Sequence, residues 1–503
     1  MKIKTLILLI AVLFVFVSAV NGADPDEVYN NNWYEIFVRS FQDSNGDGIG
    51  DLPGVISRLD HLRDLGYNGI WLMPVNPSPS YHKYDVTDYL SIDPEYGSLA
   101  DMKRLTTEAH ARGMMIITDL VLNHTSLQHP WFLAASEALS KGIDSPYIDY
   151  YHFRQEPGDK YVPLGDTGWY YEEQFSGGGM PDLNLDNEDV RAQIRFIMDF
   201  WLNVIGVDGF RLDAVTGYYS GDHERNIGFL RRIKEECEQL KPGSFLVGEC
   251  WESLPVIARY YESGIDSFFL FPGSQAEGFI ASSLRGRSKR AEKFAARYES
   301  VLEAIPEGTL APFLGNHDTG RAVGSLQGRQ NLPIAKFAEG LMNMMQGNVF
   351  TYYGEEIGMA GSGNDPNKRL AMYWNDGDMT LQPPGVTTVE YPYPPVDEQI
   401  SDPDSLLNYL KMVNHTRIRY PMIANGENEF VYVEGDILLM RRTLNGSSCL
   451  IAMNFSPKET GTCPVPENTA VGADIETSSG TCELNGTELL LPPYSIVILE
   501  EKE

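Results

Sequence analysis

Four short segments have the make-up of a reactive site: Asp119-Leu-Val-Leu-Asn-His124, Gly209-Phe-Arg-Leu-Asp213, Val247-Gly-Glu249 and Leu314-Gly-Asn-His-Asp318. Each joins apolar residues to a polar end of carboxylate, His or Arg. In a parallel sheet covered on both faces, such a run reads as a buried strand with an emerging tip. Barrels of eight parallel strands do their chemistry at those C-terminal tips. Asp213, Glu249 and Asp318 end three of the runs. Carboxyl groups on rigid tips can share acid–base and nucleophilic work when their surroundings hold one ionised and another protonated. Arg211 lies two residues before Asp213, on the same face of its strand. A single acid would ordinarily be a surface or ion-paired group; four such tips in one chain indicate a site.

A second pattern binds rather than reacts. Asp43-Ser-Asn-Gly-Asp-Gly-Ile-Gly-Asp51 places oxygen donors at alternate positions, with glycines that permit a tight turn. Hard oxygen donors at this spacing favour Ca²⁺, although Leu-Pro-Gly-Val follows where a twelfth-position glutamate would close an EF-hand loop. The competing reading is an Asp/Gly turn without metal. No Cys–His spacing suggests zinc.

The elements that must carry these residues alternate. Trp33–Arg39 reads as a first strand, Val55–Leu65 as a helix stopped by Gly66, and Gly69–Pro74 as the second strand. Leu99–Arg112 is the next helix, and Met114–Asn123 the third strand. Residues 124–184 break the rhythm, rich in Tyr, Gly, Pro and Asp; a segment that long within a barrel reads as a small inserted domain. Helix 189–205, strand 207–213, helix 225–241 and strand 245–250 restore it. Further strands are expected near Ser267–Phe271, Ala311–Leu314 and Asn348–Tyr353, and a long helix over Ser405–Arg419. From Glu427, short alternating runs with Gly and Asn turns read as an all-β sandwich. The expected fold is α/β, a (β/α)8 TIM barrel over 23–123 and 185–420. Segment 124–184 is inserted after strand 3, and 421–503 forms a C-terminal antiparallel β-sandwich.

The chain has 503 residues, 43% hydrophobic and 11% aromatic, enough for a barrel with accessory domains. Lys2 and Lys4 precede an apolar run from Leu6 to Val17, followed by Ser18, Ala19 and Gly22. This has the form of a signal peptide over 1–22, with cleavage after Ala19 or Gly22 and export to the periplasm or medium. No later segment is apolar enough to cross a membrane. A net charge of −31 argues against nucleic acid and anionic membranes as partners. Cys237, Cys250, Cys449, Cys463 and Cys482 are odd in number, so at least one is unpaired in a monomer; Cys463–Cys482 is a possible bridge in an exported protein.

The ordered set of tips resembles the α-amylase superfamily, glycoside hydrolase family 13, over essentially everything after residue 22. The resemblance implies retaining hydrolysis, with Asp213 as nucleophile, Glu249 as general acid/base and Asp318 as the acid that grips sugar hydroxyls. Arg211 would keep Asp213 ionised and oriented; His124 and His317 would bind sugar hydroxyls. Asn316 has the alternative of only shaping its turn. Tyr81–Tyr89 is similar to the segment where a Tyr stacks on the sugar and an Asp contacts it, implying Tyr84 and Asp85. Lys83 stands where the family usually has Gly, and is expected to narrow the cleft. Lys368–Trp374 resembles a segment that supplies an Arg, here Arg369, with a structural salt bridge as the equal alternative. The first loop resembles the family's calcium loop, implying side-chain ligation by Asp43, Asn45, Asp47 and Asp51 and carbonyl ligation by Ile49. A second calcium at Asn123 and Asp182 is placed in doubt by Thr216-Gly217, where the family has Lys-His. Met180-Pro-Asp-Leu-Asn184 resembles the group intermediate between oligo-1,6-glucosidases and neopullulanase-like enzymes.

These features imply a secreted α-amylase, a monomer acting on α-glucans. Ala214 after the nucleophile resembles α-1,4-specific members, where α-1,6-specific ones tend to have Val. The alternatives are a 4-α-glucanotransferase, an exo-acting α-glucosidase or oligo-1,6-glucosidase, and a non-catalytic carbohydrate-binding or transporter-associated relative. The last class typically lacks the carboxylates that are all present here.

Overall fold

Eight parallel strands form one sheet: β1 (Asn32–Ile36), β2 (Gly69–Leu72), β3 (Met115–Leu120), β4 (Gly209–Leu212), β5 (Phe245–Gly248), β6 (Ser267–Phe269), β7 (Thr309–Ala311) and β8 (Val349–Tyr352). Their spatial order is β7-β6-β5-β4-β3-β2-β1-β8. The two end strands meet through a parallel bridge between Phe313 and Phe350, and the Phe350 N–H donates to the Pro312 carbonyl at 3.0 Å. The sheet thus curls into the expected barrel. This computed structural model describes residues 32–175, 177–475 and 480–501; the expected signal peptide lies outside them. Among the described residues, no helix is long and apolar enough to cross a membrane.

The period of two along each strand sorts the side chains. Trp33, Trp71, Ile117, Phe245, Val247, Phe269 and Phe350 fill the barrel interior. Their neighbours Tyr34, Ile70, Ile116, Phe210, Leu246 and Phe268 face the surrounding helices. Gly69 makes room for this interior: a Cβ there would stand 2.5 Å from the Trp33 ring. Continuing the inward parity up the strands leads from Trp33 to Glu35, from Ile117 to Asp119, from Gly209 to Arg211 and Asp213, and from Val247 to Glu249. The apolar floor therefore turns polar at the C-terminal rim.

Several elements differ from expectation. The first strand ends at Ile36, and Val38–Phe41 is a short helix. The helix expected over Val55–Leu65 is two helices, Leu52–Ser57 and Leu59–Asp64, parted at Arg58, whose ψ of 1° is not helical. Helix Glu188–Asp199 widens into a π-helical turn over Phe200–Ile205. The insertion is less irregular than its composition suggests. It holds a twelve-residue helix, Pro130–Lys141, opened by Pro at its first turn and the His129 side chain as N-cap, and closed by Gly142 at φ 62°. A three-stranded sheet follows, ordered Phe153–Arg154, Tyr170–Glu172, Tyr161–Pro163.

The C-terminal part has a five-stranded antiparallel sheet, ordered Glu427–Glu434, Ile437–Leu444, Ser447–Asn454, Ser495–Glu501, Thr469–Ile475. A three-stranded sheet is ordered Gly461–Pro464, Glu488–Leu491, Glu483–Asn485. One face of the large sheet, with Leu439, Leu450 and Val497, packs on Leu489 and Leu491. The other face, with Leu438, Met440, Ile451 and Ile498, joins the core shared with the barrel helices. All five cysteines are buried and none is joined in a disulfide. Cys463 pairs with Leu489, and the Glu483–Leu490 pairing puts Cys482 across from Leu491 on the other side of that strand. Two strand spacings, about 9–10 Å, exceed the reach of a disulfide, so the possible Cys463–Cys482 bridge does not form.

Candidate active site

The strand tips converge on Arg211. It is fully buried, and its Nη1 lies 2.5 Å from Asp119 Oδ1 and 2.6 Å from Asp213 Oδ1, while Nη2 lies 3.0 Å from Glu249 Oε2. One guanidinium thus offsets three buried carboxylates, the arrangement that makes its own burial tolerable. The Trp71 indole N–H donates to Asp119 Oδ2 at 2.8 Å, which fixes Asp119 from the neighbouring strand. Burial pushes the Asp119 carboxyl up to about 6 against the pull of Arg211.

Glu249 is held from the far side. The Ala214 N–H donates to Glu249 Oε2 at 2.9 Å, and Ala214 adopts a left-handed φ of 45° to present it. Burial pushes Glu249 up to about 7; Arg211 opposes this, and Asp213 and Asp318 add to it. A carboxyl that keeps its proton near neutrality beside an arginine-bound carboxylate is the division of labour needed to protonate one oxygen while attacking a neighbouring carbon.

Asp318 has its own cationic frame. Its Oδ2 lies 2.9 Å from His317 Nε2, and its Oδ1 lies 2.8 Å from Arg369 Nη2. The Lys368 ammonium donates to the Asp318 carbonyl at 2.7 Å. Burial alone would raise this carboxyl, but His317 and Arg369 outweigh it and hold it well below the usual range. Asn316 shapes the turn, its Oδ1 accepting the N–H groups of Asp318 and Thr319 at 3.0 Å.

These groups open into a cleft of about 380 Å³, lined by His82, Tyr84, His124, Phe175, Met180, Asp213, Glu249, Trp251, Asp318, Asp365 and Arg369. Six of the nine residues expected at the reactive site line it. Arg211 and His317 lie directly beneath. Asp85 is placed differently: its Oδ1 accepts from Ser78 Oγ at 2.6 Å and from Ser80 Oγ, and it stands beside the cleft-lining His82 rather than among the lining residues. Lys83 is corrected. At φ 67° it turns inward, 3% exposed, with Nζ 2.7 Å from Asp93 and 2.9 Å from Glu95, so it does not narrow the cleft. Arg369 combines the two readings offered for it, lining the cleft while paired to Asp318. The sequence reading passed over Asp119, although it heads one of the quoted runs, and Glu35, an acid inside the apolar strand Trp33–Ile36. The cleft also takes in His82, Phe175, Met180, Trp251 and Asp365, which had no assigned role, although His82 and Met180 lie inside segments named above.

The loop expected to bind calcium supplies hard oxygens and left-handed glycines, Gly46 at φ 86° and Gly48 at φ 90°. Its side chains face its own backbone. Asp43 accepts from the N–H of Asn45, Gly46 and Gly48, Asn45 from Asp47, and Asp47 from Ile49, at 2.7–3.0 Å. Asp51 Oδ1 caps the next helix through the Gly54 N–H, and its Oδ2 accepts from Ser44 Oγ at 2.8 Å. Among the described residues, no three His, Cys, Asp or Glu side chains converge to hold a metal. The donor chemistry therefore fits calcium, whereas the side-chain positions do not form a closed site. At the second location, Asn123 Nδ2 donates to Asp182 Oδ1 at 2.9 Å, so the two expected ligands engage each other; burial pushes Asp182 up to about 7.

The catalytic-domain profile of the alpha-amylase family matches residues 35–426. Alpha-amylase 3 of Dictyoglomus thermophilum is 34% identical over 508 residues, spanning 99% of this chain and 98% of that protein. An oligo-1,6-glucosidase of Parageobacillus thermoglucosidasius is 30% identical, over 84% of this chain and 90% of its own length. Among solved structures, Eubacterium rectale Amy13B matches with a TM-score of 0.91 and 39% identity, covering 95% of this chain and 97% of its own. The alpha-amylase from H.orenii matches with a TM-score of 0.83 and 34% identity, over 94% and 99%.

Proposed function

The chain belongs to the alpha-amylase family of glycoside hydrolases, and from that premise we propose that it is a secreted, endo-acting α-amylase cleaving internal α-1,4 bonds of starch, glycogen and maltooligosaccharides with retention. The observation that carries this reading is the sharing of one guanidinium by Asp213 and Glu249 at the floor of the cleft. Held by one guanidinium, the two carboxyls stand on the same patch of the cleft floor, as the closely spaced pair of a double displacement requires.

Asp213 attacks the anomeric carbon while Glu249 passes its proton to the leaving oxygen. A glycosyl ester to Asp213 forms and the old glycosidic bond breaks. Glu249, now ionised, draws a proton from water, which attacks the same carbon and frees Asp213. Asp318, ionised in its cationic frame, accepts from sugar hydroxyls and favours the positively charged transition state. Tyr84 and His124 form the walls of the same subsite. The His124 ring lines the cleft edge-on to Phe175, where it can meet a sugar hydroxyl.

Ala214, directly after Asp213, supports α-1,4 preference by its resemblance to α-1,4-specific members, where α-1,6-specific ones tend to have Val. The oligo-1,6-glucosidases among the relatives support a second reading, exo-acting cleavage of α-1,6 bonds. Met180-Pro-Asp-Leu-Asn184 supports a place in the intermediate group, and the apolar run Leu6–Val17 supports export. Structural calcium at 43–51 rests on donor chemistry alone.

A product time course from soluble starch, maltoheptaose and isomaltotriose tests the reading. Early mixed maltooligosaccharides with rapid loss of iodine staining are expected. Glucose from chain ends, or faster cleavage of isomaltotriose, would replace it with the exo-glucosidase. Products longer than the maltoheptaose supplied would indicate a transferase.

A further inference from the structure

We infer that Glu35, a buried acid on β1 outside the cleft, is a positioning residue that holds His317 as an imidazolium so that Asp318 can act as an anion. The inference rests on the site reading above. Glu35 is 1% exposed, and its Oε1 lies 2.5 Å from His317 Nδ1. His317 Nε2 lies 2.9 Å from Asp318 Oδ2 and 2.7 Å from the Tyr84 hydroxyl, and the two rings stack 5.5 Å apart. Both ring nitrogens therefore face carboxylates. A neutral imidazole carries one N–H, so one nitrogen would turn a lone pair onto a carboxylate oxygen inside a dry site. The doubly protonated ring satisfies both carboxylates at once, whereas a ring protonated only on Nδ1 would take the Tyr84 hydroxyl as its Nε2 donor and leave a lone pair facing Asp318 Oδ2. The row then runs acid, cation, acid from the barrel interior to the cleft.

The groups around the imidazole agree with this arrangement. Asp119 on β3 adds a third negative charge, and Tyr84 from the loop after β2 offers a hydroxyl. Arg369 spends its Nε on the His317 carbonyl at 3.1 Å and its Nη2 on Asp318. Arg211 acts on Asp318 from below. Burial would make His317 hard to protonate, but Asp318 and Glu35 outweigh it and push it up to about 9. A histidine raised in this way keeps its stabilising contacts below that value and loses them as pH climbs through it. Glu35→Gln removes the inner charge at nearly constant shape. The new amide can donate to Nδ1, so a neutral ring with its proton on Nε2 becomes acceptable, and the cation facing Asp318 disappears at lower pH.

The test must separate His317 from Glu249, because loss of the Glu249 proton sets the alkaline limit on ordinary substrates. In a Glu249→Gln background, α-maltosyl fluoride has a leaving group that needs little proton help, and kcat/KM reports only the attack step. Fluoride release across pH 5–10 should show an alkaline limb that moves down by at least about one pH unit when Glu35→Gln is added. Glu35→Asp, which keeps the charge, should move it by less than half as much. A limb that stays in place while the melting temperature falls would overturn the proposal, because a purely packing role lowers stability without retuning the histidine. If Glu249→Gln alone cleaved maltoheptaose as fast as the wild type, the assignment of the site itself would fail instead.

Discussion

Replacing Arg211 with Met would test the electrostatic core of the site. Met keeps most of the volume and removes the guanidinium that touches Asp119, Asp213 and Glu249 together. Breaking a buried ion pair from one side costs about 3–5 kcal/mol. For a barrel of this size that is a fall of roughly 4–6 °C in melting temperature. The loss should depend on pH in a fixed direction. Asp119 and Glu249 already sit above their ordinary values, at about 6 and about 7, and without the cation they rise further. Acids whose folded values exceed their unfolded ones bind extra protons in the native state, so stability falls as pH rises from the unfolded carboxylate range of about 4 toward neutrality. The variant should thus come closest to wild type near pH 5 and be most destabilised near pH 8. Two of the lost contacts are to the reacting carboxylates. The Asp213 contact is a charged hydrogen bond, and at about 1.5–3 kcal/mol for its loss kcat/KM should drop about 10–10²-fold. Differential scanning calorimetry at three pH values and maltoheptaose kinetics read both effects. A variant with unchanged melting behaviour across pH, or activity within threefold of wild type, would refute the account of Arg211 as the shared counter-charge.

Other outcomes follow from the same geometry. Asp213→Asn and Glu249→Gln should each lower turnover of starch by at least about 10³-fold while still unfolding in a single cooperative transition. The wild-type kcat/KM should decline above pH 7 as Glu249 loses its proton, which pH-rate profiles check. Lys83→Gly should relieve the left-handed backbone yet leave Asp93 buried without its cation, for a net loss of about 2–4 kcal/mol, with KM for maltoheptaose unchanged. A large fall in KM would mean that Lys83 does obstruct the cleft. Ala214→Val should destabilise by about 1–3 kcal/mol and impair Glu249 by displacing its N–H donor, measured by urea unfolding and kcat. If the 43–51 loop holds calcium, chelation should lower the melting temperature and added Ca²⁺ restore it; an identical curve in both conditions would remove the metal.

Much of this protein is determined locally. The inward and outward parity of each strand is written in its period of two, so Val247-Gly-Glu249 and Gly209-Phe-Arg-Leu-Asp213 announce both a barrel strand and the acid at its rim. The breaks between elements are equally local, as with Gly66, Gly113 and Gly142 in left-handed conformations at helix ends. Tertiary structure decided whatever depends on which strand lies beside which. Glu35 and His317 are 282 positions apart, and neither implies the other until β1 stands next to the rim segment after β7. Asp119 becomes the anchor of Arg211 only because β3 pairs with β4. Lys83 and Asp85 depart from their expected parts for a more local reason. Their types suited a sugar cleft, but nearby Asp93 and the Ser78 and Ser80 hydroxyls satisfied them first. A sequence specifies the chemistry a side chain can do; burial and neighbours from distant strands decide whether that chemistry faces a substrate or another residue.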